Sequence, residues 1–208
     1  MAALPVSPSK ILGVGLNYRA HAVEMGKKLP EEPLLFMKPP SALIGPGEAI
    51  VRPRGYMRVD YEGELAIVIG RRCRNVVAGA ALDYVRGYIC LNDVTVRDLQ
   101  VKDVQYTRAK GFDTFCPVGP RVAEGLDPRA LAIETRVNGV VKQRSSTADL
   151  IFDVPSLVAF VSRVMTLEEG DLITTGTPPG VGQITPGDEI EIEIEGIGIL
   201  RNPVVEEA

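Results

Sequence analysis

The chain has 208 residues, 45% of them hydrophobic, enough to bury one substantial core without disulfide or metal staples. A formal charge of −4 leaves no basic surplus to neutralise a phosphate backbone, which argues against a nucleic-acid partner. There is also no run of about 18 apolar residues to cross a membrane. Glycine (21) and proline (16) are plentiful and tryptophan is absent, which favours strands and turns over a helical bundle. Cys73, Cys90 and Cys116 are too scattered for a disulfide framework or a zinc knuckle and read as buried small hydrophobes. The first residues carry neither a basic region nor a long apolar stretch, so the expectation is a soluble, cytoplasmic protein.

Residues 1–10 read as an N-terminal extension and 11–208 as a single domain. The apolar run from Ile11 to Leu16 predicts a strand; Tyr18 to Met25 then predicts one or two helical turns with His21 and Glu24 on one face. Gly26, Pro30 and Pro33 among charged residues predict a surface loop that could serve as a lid. Val59 to Ile69 alternates and then becomes continuously apolar, as a strand does when it runs from the edge of a site into a core. A short helix over 78–85 and a strand over 86–91 bring Asp93 to that strand's C-terminal end. From Val94 to Val104 the pattern is helical, with Arg97 and Gln100 facing one side, back toward Asp93.

Leu131 to Val137, Asn138-Gly139 and Val140 to Gln143 form a type I′ hairpin signal that reads as scaffold. Asp153 with Pro155 predicts the start of an amphipathic helix carrying Leu157, Phe160, Val161 and Val164. Asp171 to Thr175 predicts a strand and Gly176 to Gly182 a loop. Glu189 to Glu195 then predicts a half-exposed antiparallel strand with its glutamates in water. The expected class is α+β, mainly β.

Glu62 and Glu64 stand two apart, so a strand projects both carboxylates from one face, where they repel unless a cation lies between them. An isolated Glu-x-Glu is ordinarily the wet face of a strand. Here an apolar run follows at once, and a second strand delivers Asp93. Three hard oxygen ligands suit Mg²⁺, Mn²⁺ or Ca²⁺ better than zinc. Lys110 and Arg97 are candidate cations for a substrate carboxylate or enolate, and His21 with Glu24 is a candidate general-base pair. The loop Thr175-Gly176-Thr177-Pro178 lacks the lysine of a nucleotide phosphate cradle, but its backbone and Thr177 could hold a small carboxylate.

Four segments together resemble the fumarylacetoacetate hydrolase family: Gly15-Leu16-Asn17-Tyr18-Arg19-Ala20-His21-Ala22-Val23-Glu24, Tyr61-Glu62-Gly63-Glu64-Leu65, Asn92-Asp93-Val94-Thr95-Val96-Arg97-Asp98-Leu99-Gln100 and Thr175-Gly176-Thr177-Pro178. The resemblance covers nearly the whole chain. It implies a mixed β-roll with a few short helices, a bound Mg²⁺ or similar ion, and a homodimer. It also implies metal ligation by Glu62, Glu64 and Asp93, substrate contacts from Arg97, Gln100 and Thr177, and catalytic parts for Lys110, His21 and Glu24. The similarity is to short acylpyruvate hydrolases and to single halves of isomerase/decarboxylases of the homoprotocatechuate route, without the extra N-terminal domain of the long forms.

The expected reaction is C–C hydrolysis of an acylpyruvate or decarboxylation of an oxaloacetate-like acid, through an enolate stabilised by the metal. Isomerisation of 2-hydroxyhepta-2,4-diene-1,7-dioate is the alternative. A non-catalytic binding protein is the rival from another class; loss of a metal ligand, His21 or Lys110 would favour it, and all are present.

Overall fold

The β-branched and aliphatic runs pair as strands in the computed structural model, which describes residues 4–208. In chain order the strands are β1 (Ile11–Gly15), β2 (Leu34–Lys38), β3 (Leu43–Ile44), β4 (Ile50–Arg52), β5 (Val59–Tyr61) and β6 (Gly63–Ile69). Then come β7 (Val85–Asn92), β8 (Thr95–Val96), β9 (Cys116–Ala123), β10 (Ala132–Val137) and β11 (Val140–Ser146). The last are β12 (Leu172–Thr174), β13 (Gly182–Gln183), β14 (Glu189–Ile194) and β15 (Gly198–Glu206). The α-helices are short: α1 (Arg19–Glu24), α2 (Arg97–Asp103), α3 (Thr107–Lys110) and α4 (Val154–Val164). The expected class, mainly β with few helices, is observed.

A seven-stranded sheet runs β2-β1-β12-β6-β7-β9-β3, a five-stranded one β11-β10-β14-β15-β4, and a three-stranded one β13-β5-β8. Pairing is mixed: β1 with β12, β3 with β9 and β15 with β4 are parallel, the rest antiparallel. The continuous apolar run of β6 follows from burial on both faces. Leu65, Ile67 and Ile69 join α4 residues Leu157, Val158 and Val161 and the five-stranded sheet's Ile192, Ile194 and Leu200 in one core. Ala66 and Val68 face the other way, onto Ile11, Ile89, Leu91 and Leu172. Each fully buried aliphatic side chain of this kind contributes roughly 1.5–3 kcal/mol. The helix α4 starts as expected, with the Asp153 carboxylate accepting from Ser156 N at 2.9 Å.

The hairpin is also as expected: Asn138 and Gly139 take φ of 52° and 76°, the two positive angles of a type I′ turn. Three expectations change. Val59 to Ile69 is not one strand but two, β5 and β6, which break at Glu62 and belong to different sheets. The helical stretch begins only at Arg97, because Thr95–Val96 pairs with β5. Glu191 is buried, not wet, because its carboxylate pairs with Arg201 on the neighbouring strand β15. Among the described residues no helix is long and apolar enough to cross a membrane.

Of the segment read as an extension, residues 1–3 lie outside the described residues. Val6 packs in the core with Ile11 and Leu172, and Ser9 and Lys10 converge on the buried carboxylate of Asp171. Asp171 Oδ1 accepts from Ser9 N (3.0 Å), Ser9 Oγ (2.7 Å) and Lys10 N (3.1 Å). Its Oδ2 accepts from Glu168 N (2.7 Å) and pairs with Lys10 Nζ. Burial alone would raise this carboxyl, but the bonds from Lys10, Glu168 and Ser9 hold it below its usual value of 3.8. A depressed carboxyl adds stability that is complete above its unfolded pKa and is lost as pH falls through the folded one. Asp171→Asn is therefore expected to lower the folding free energy by about 1–3 kcal/mol at pH 7. The gap to wild type should narrow below pH 3.8, as read by denaturant melts across pH.

Candidate metal centre and its pocket

Glu62 lies at the break between β5 and β6, and the backbone there is held on every side. Glu62 N donates to Asn92 Oδ1 (3.0 Å), and its carbonyl accepts from Asp93 N (2.9 Å). Gly63 N donates to Gln143 Oε1 (3.0 Å), and its carbonyl accepts from Thr177 Oγ1 (3.0 Å). Only glycine fits between the two glutamates, since a Cβ at position 63 would stand 2.1 Å from Thr135 Oγ1 on β10. Gly63 pairs with Asn92 and Glu64 with Leu91, so Asp93, one residue past β7, falls beside the glutamates.

The result is a cage in which one ligand atom from each of Glu62, Glu64 and Asp93 lies within 4.8 Å of the others, all three residues being buried. Cations surround it unevenly. Glu62 accepts from Arg97 Nη2 at 2.5 Å and from Lys110 Nζ at 2.8 Å. Asp93 accepts from Lys110 Nζ at 2.5 Å and from Lys38 Nζ at 2.7 Å. Burial would raise the Glu62 carboxyl, but Arg97 and Lys110 hold it well below the carboxylate range. Glu64 has no such cationic partner among the described residues; its Oε2 accepts from Gly176 N at 2.9 Å. Burial first, then the charges of Asp93 and Glu62, push Glu64 well above the usual range, with Lys110 opposing. A buried carboxylate set against two others, with oxygen donors alone, is chemistry that a hard divalent cation fits.

One cavity of about 320 Å³ gathers the predicted residues: His21, Glu62, Glu64, Asp93, Arg97, Gln100, Lys110 and Thr177 all line it. Glu24 stands behind His21, its Oε2 2.9 Å from His21 Nδ1, and its carboxylate also accepts from Gly180 N at 3.0 Å. The helix carrying both therefore docks on the Thr175–Gly182 loop. Lys110 Nζ lies 4.7 Å over the ring of Phe36, which has room because residue 13 is glycine; a Cβ there would meet that ring at 2.1 Å.

Arg97 places three of its five N–H donors on the protein: Nε on Asp60 Oδ2 (2.8 Å), Nη1 on Gln100 Oε1 (2.8 Å), Nη2 on Glu62. Thr177 is likewise held, donating to the Gly63 carbonyl and accepting from Gln143 Nε2 at 2.8 Å.

Four supporting residues escaped the sequence reading. Asp60, fully buried, extends the Glu-x-Glu alternation by one step and could have been read from it. Lys38 ends an apolar strand just before Pro39, a weak signal for a buried ammonium. Gln143 sits in the hairpin read as scaffold, yet it ties Gly63 to Thr177 and Pro178. Asn17 Nδ2 donates to the carbonyls of Thr175 (2.8 Å) and Phe152 (3.0 Å), joining α1 to the loop. Nothing local marks the last two.

Because Glu64 is repelled in the metal-free chain, Glu64→Gln should leave the metal-free Tm unchanged or higher. Wild type should gain about 2.7 kcal/mol at Mn²⁺ or Mg²⁺ concentrations near 100 times Kd, and the variant should gain none. Thermal melts across metal concentration measure both; a full metal-induced rise in Glu64→Gln would remove Glu64 from the cage.

The sequence matches the family described as fumarylacetoacetate (FAA) hydrolase C-terminal over residues 10–205. A crystal structure of 5-carboxymethyl-2-hydroxymuconate delta-isomerase from Mycobacterium smegmatis is similar, with a TM-score of 0.93 and 52% identity over 98% of this chain and 81% of that one. The 4-hydroxyphenylacetate degradation bifunctional isomerase/decarboxylase of Escherichia coli is 44% identical over 98% of this chain, which spans 48% of that protein. Oxaloacetate tautomerase YisK of Bacillus subtilis is 42% identical over 98% of this chain and 72% of its own length. With a family match running almost end to end and relatives 42–44% identical, the chain belongs to the fumarylacetoacetate hydrolase family.

Proposed function

We propose that the chain is a divalent-metal-dependent enzyme acting on small, enolisable 2-oxo acids through an enolate: decarboxylation of oxaloacetate-like acids, in which CO₂ leaves and the enolate carbon is then protonated, and keto–enol or double-bond isomerisation by proton transfer. The observation that carries this reading is the meeting of a three-carboxylate cage and a His–Glu dyad in one cavity. Glu62, Glu64 and Asp93 would hold Mg²⁺ or Mn²⁺, which when bound supplies Lewis-acid polarisation of the 2-oxo group. Glu24 engages His21 Nδ1, which leaves Nε2 as the atom that takes or returns a proton at the carbon beside that group. Lys110, raised above its usual pKa by Asp93 and Glu62 against the opposing effect of burial, stays charged and adds a fixed positive field. Leu34, Phe36 and Tyr106 give the cavity its apolar lining beside these groups.

The relatives, an isomerase/decarboxylase and a tautomerase, support enolate chemistry with proton transfer at carbon as the leading reading. C–C hydrolysis of an acylpyruvate is the second reading, favoured by the same dyad, since a histidine held by a carboxylate also activates water. Assaying the purified protein with Mg²⁺ against oxaloacetate, acetylpyruvate and 2-hydroxyhepta-2,4-diene-1,7-dioate tests the reading. Turnover of the first or third is expected; turnover of acetylpyruvate alone selects hydrolysis, and inertness toward all three overturns the proposal. His21→Ala should slow turnover about 10²–10⁴-fold. Its Mn²⁺ affinity by calorimetry should stay within about twofold, since His21 lies outside the cage; lost metal binding would contradict a proton-transfer role.

A further inference from the structure

We propose that Lys27 is a specificity-determining residue that binds the distal carboxylate of a dicarboxylic 2-oxo acid, an inference that rests on the reading of the site as a 2-oxo acid pocket. The cations lining the cavity are not equivalent. Arg97 places its donors on Asp60, Gln100 and Glu62, and Lys110 places its own on Glu62, Asp93 and Thr95. Lys27 lines the same cavity and has no ion-pair partner among the described residues. The wall beside it is apolar, built from Met25, Leu34, Phe36 and Val101. A substrate held at the carboxylate cage by its 2-oxo end thus lies in a cavity whose lining also offers apolar side chains and one positive charge without an ion-pair partner.

The backbone of Lys27 is fixed by the end of the helix. Helix α1 ends in a Schellman motif: Lys27 N donates to the Ala22 carbonyl at 2.9 Å and Gly26 N to the Val23 carbonyl at 3.0 Å. Gly26 has φ of +63°, the left-handed angle such a cap requires. These two bonds fix where the chain leaves the helix, so the lysine that would hold the distal group is set at a constant offset from His21. Its four-carbon stem can lie along the apolar wall while the ammonium reaches the ligand. A monocarboxylic acid would leave that ammonium to water; a dicarboxylic one would pair with it.

Equilibrium binding by calorimetry with saturating Mg²⁺ tests this on two pairs matched in carbon number, none carrying the β-carboxylate that the proposed decarboxylation removes: 2-oxoglutarate against 2-oxopentanoate, and 2-oxoadipate against 2-oxohexanoate. Wild type should bind the dicarboxylate of at least one pair about tenfold more tightly, the scale of one well-placed charge-assisted contact. Lys27→Met, which keeps the apolar stem, should reduce that ratio to about twofold or less, and Lys27→Arg should retain most of it. Binding of the acids with no dicarboxylate preference in wild type, or a preference that survives in Lys27→Met, overturns the assignment of Lys27 alone. Failure of all four acids to bind overturns the 2-oxo acid reading and this inference with it.

Discussion

Four carboxylates, Asp60, Glu62, Glu64 and Asp93, are buried within a few residues of one another in space, and the rest of the structure is organised around holding them there. A buried carboxylate without compensation costs several kcal/mol, and breaking a buried pair by removing one partner costs about 3–5 kcal/mol. The chain answers with Arg97 between Asp60 and Glu62, Lys110 between Glu62 and Asp93, and Lys38 on the far oxygen of Asp93. Glu64 is left over. It alone of the four has no ion-pair partner among the described residues, and a single N–H from Gly176 reaches its Oε2.

The β-roll makes this possible by handing the chain from one sheet to another at Glu62. A strand continuing straight through would commit the backbone of residue 62 to a single ladder. The break lets Asn92 and Asp93 satisfy Glu62 while Gln143 and Thr177 satisfy Gly63. Three segments distant in sequence, at Asn92–Asp93, Gln143 and Thr177, thereby lock the backbone between the two glutamates. The absence of a side chain at position 63 is what allows β10 to approach closely enough for the second of these locks.

The dyad and the cage are joined by a separate set of contacts. Asn17 bonds to the loop at Thr175, Glu24 to Gly180, and Tyr61 Oη donates to the Gly180 carbonyl at 2.7 Å. Helix α1 is too short to be stable by itself, so its position comes from this docking. His21 and the three clustered carboxylates therefore reach the same cavity on a shared frame, with the Thr175–Gly182 loop between them.

The sequence by itself determined the strands, the hairpin, the capped helix α4, the Glu62, Glu64 and Asp93 trio, and the His21–Glu24 pair. Each rests on a period, a turn dipeptide or a spacing that local geometry translates directly into direction. It also carried the family, since four motifs in order are more specific than any one. Only the tertiary structure decided that the strand breaks at Glu62, that Glu191 is buried under Arg201, and that Arg97 and Thr177 are engaged by the protein's own groups. It alone revealed Lys38, Gln143 and Asn17, because their partners lie 55, 80 and 158 residues away, and no local pattern encodes which buried donor will meet which acceptor across such a distance.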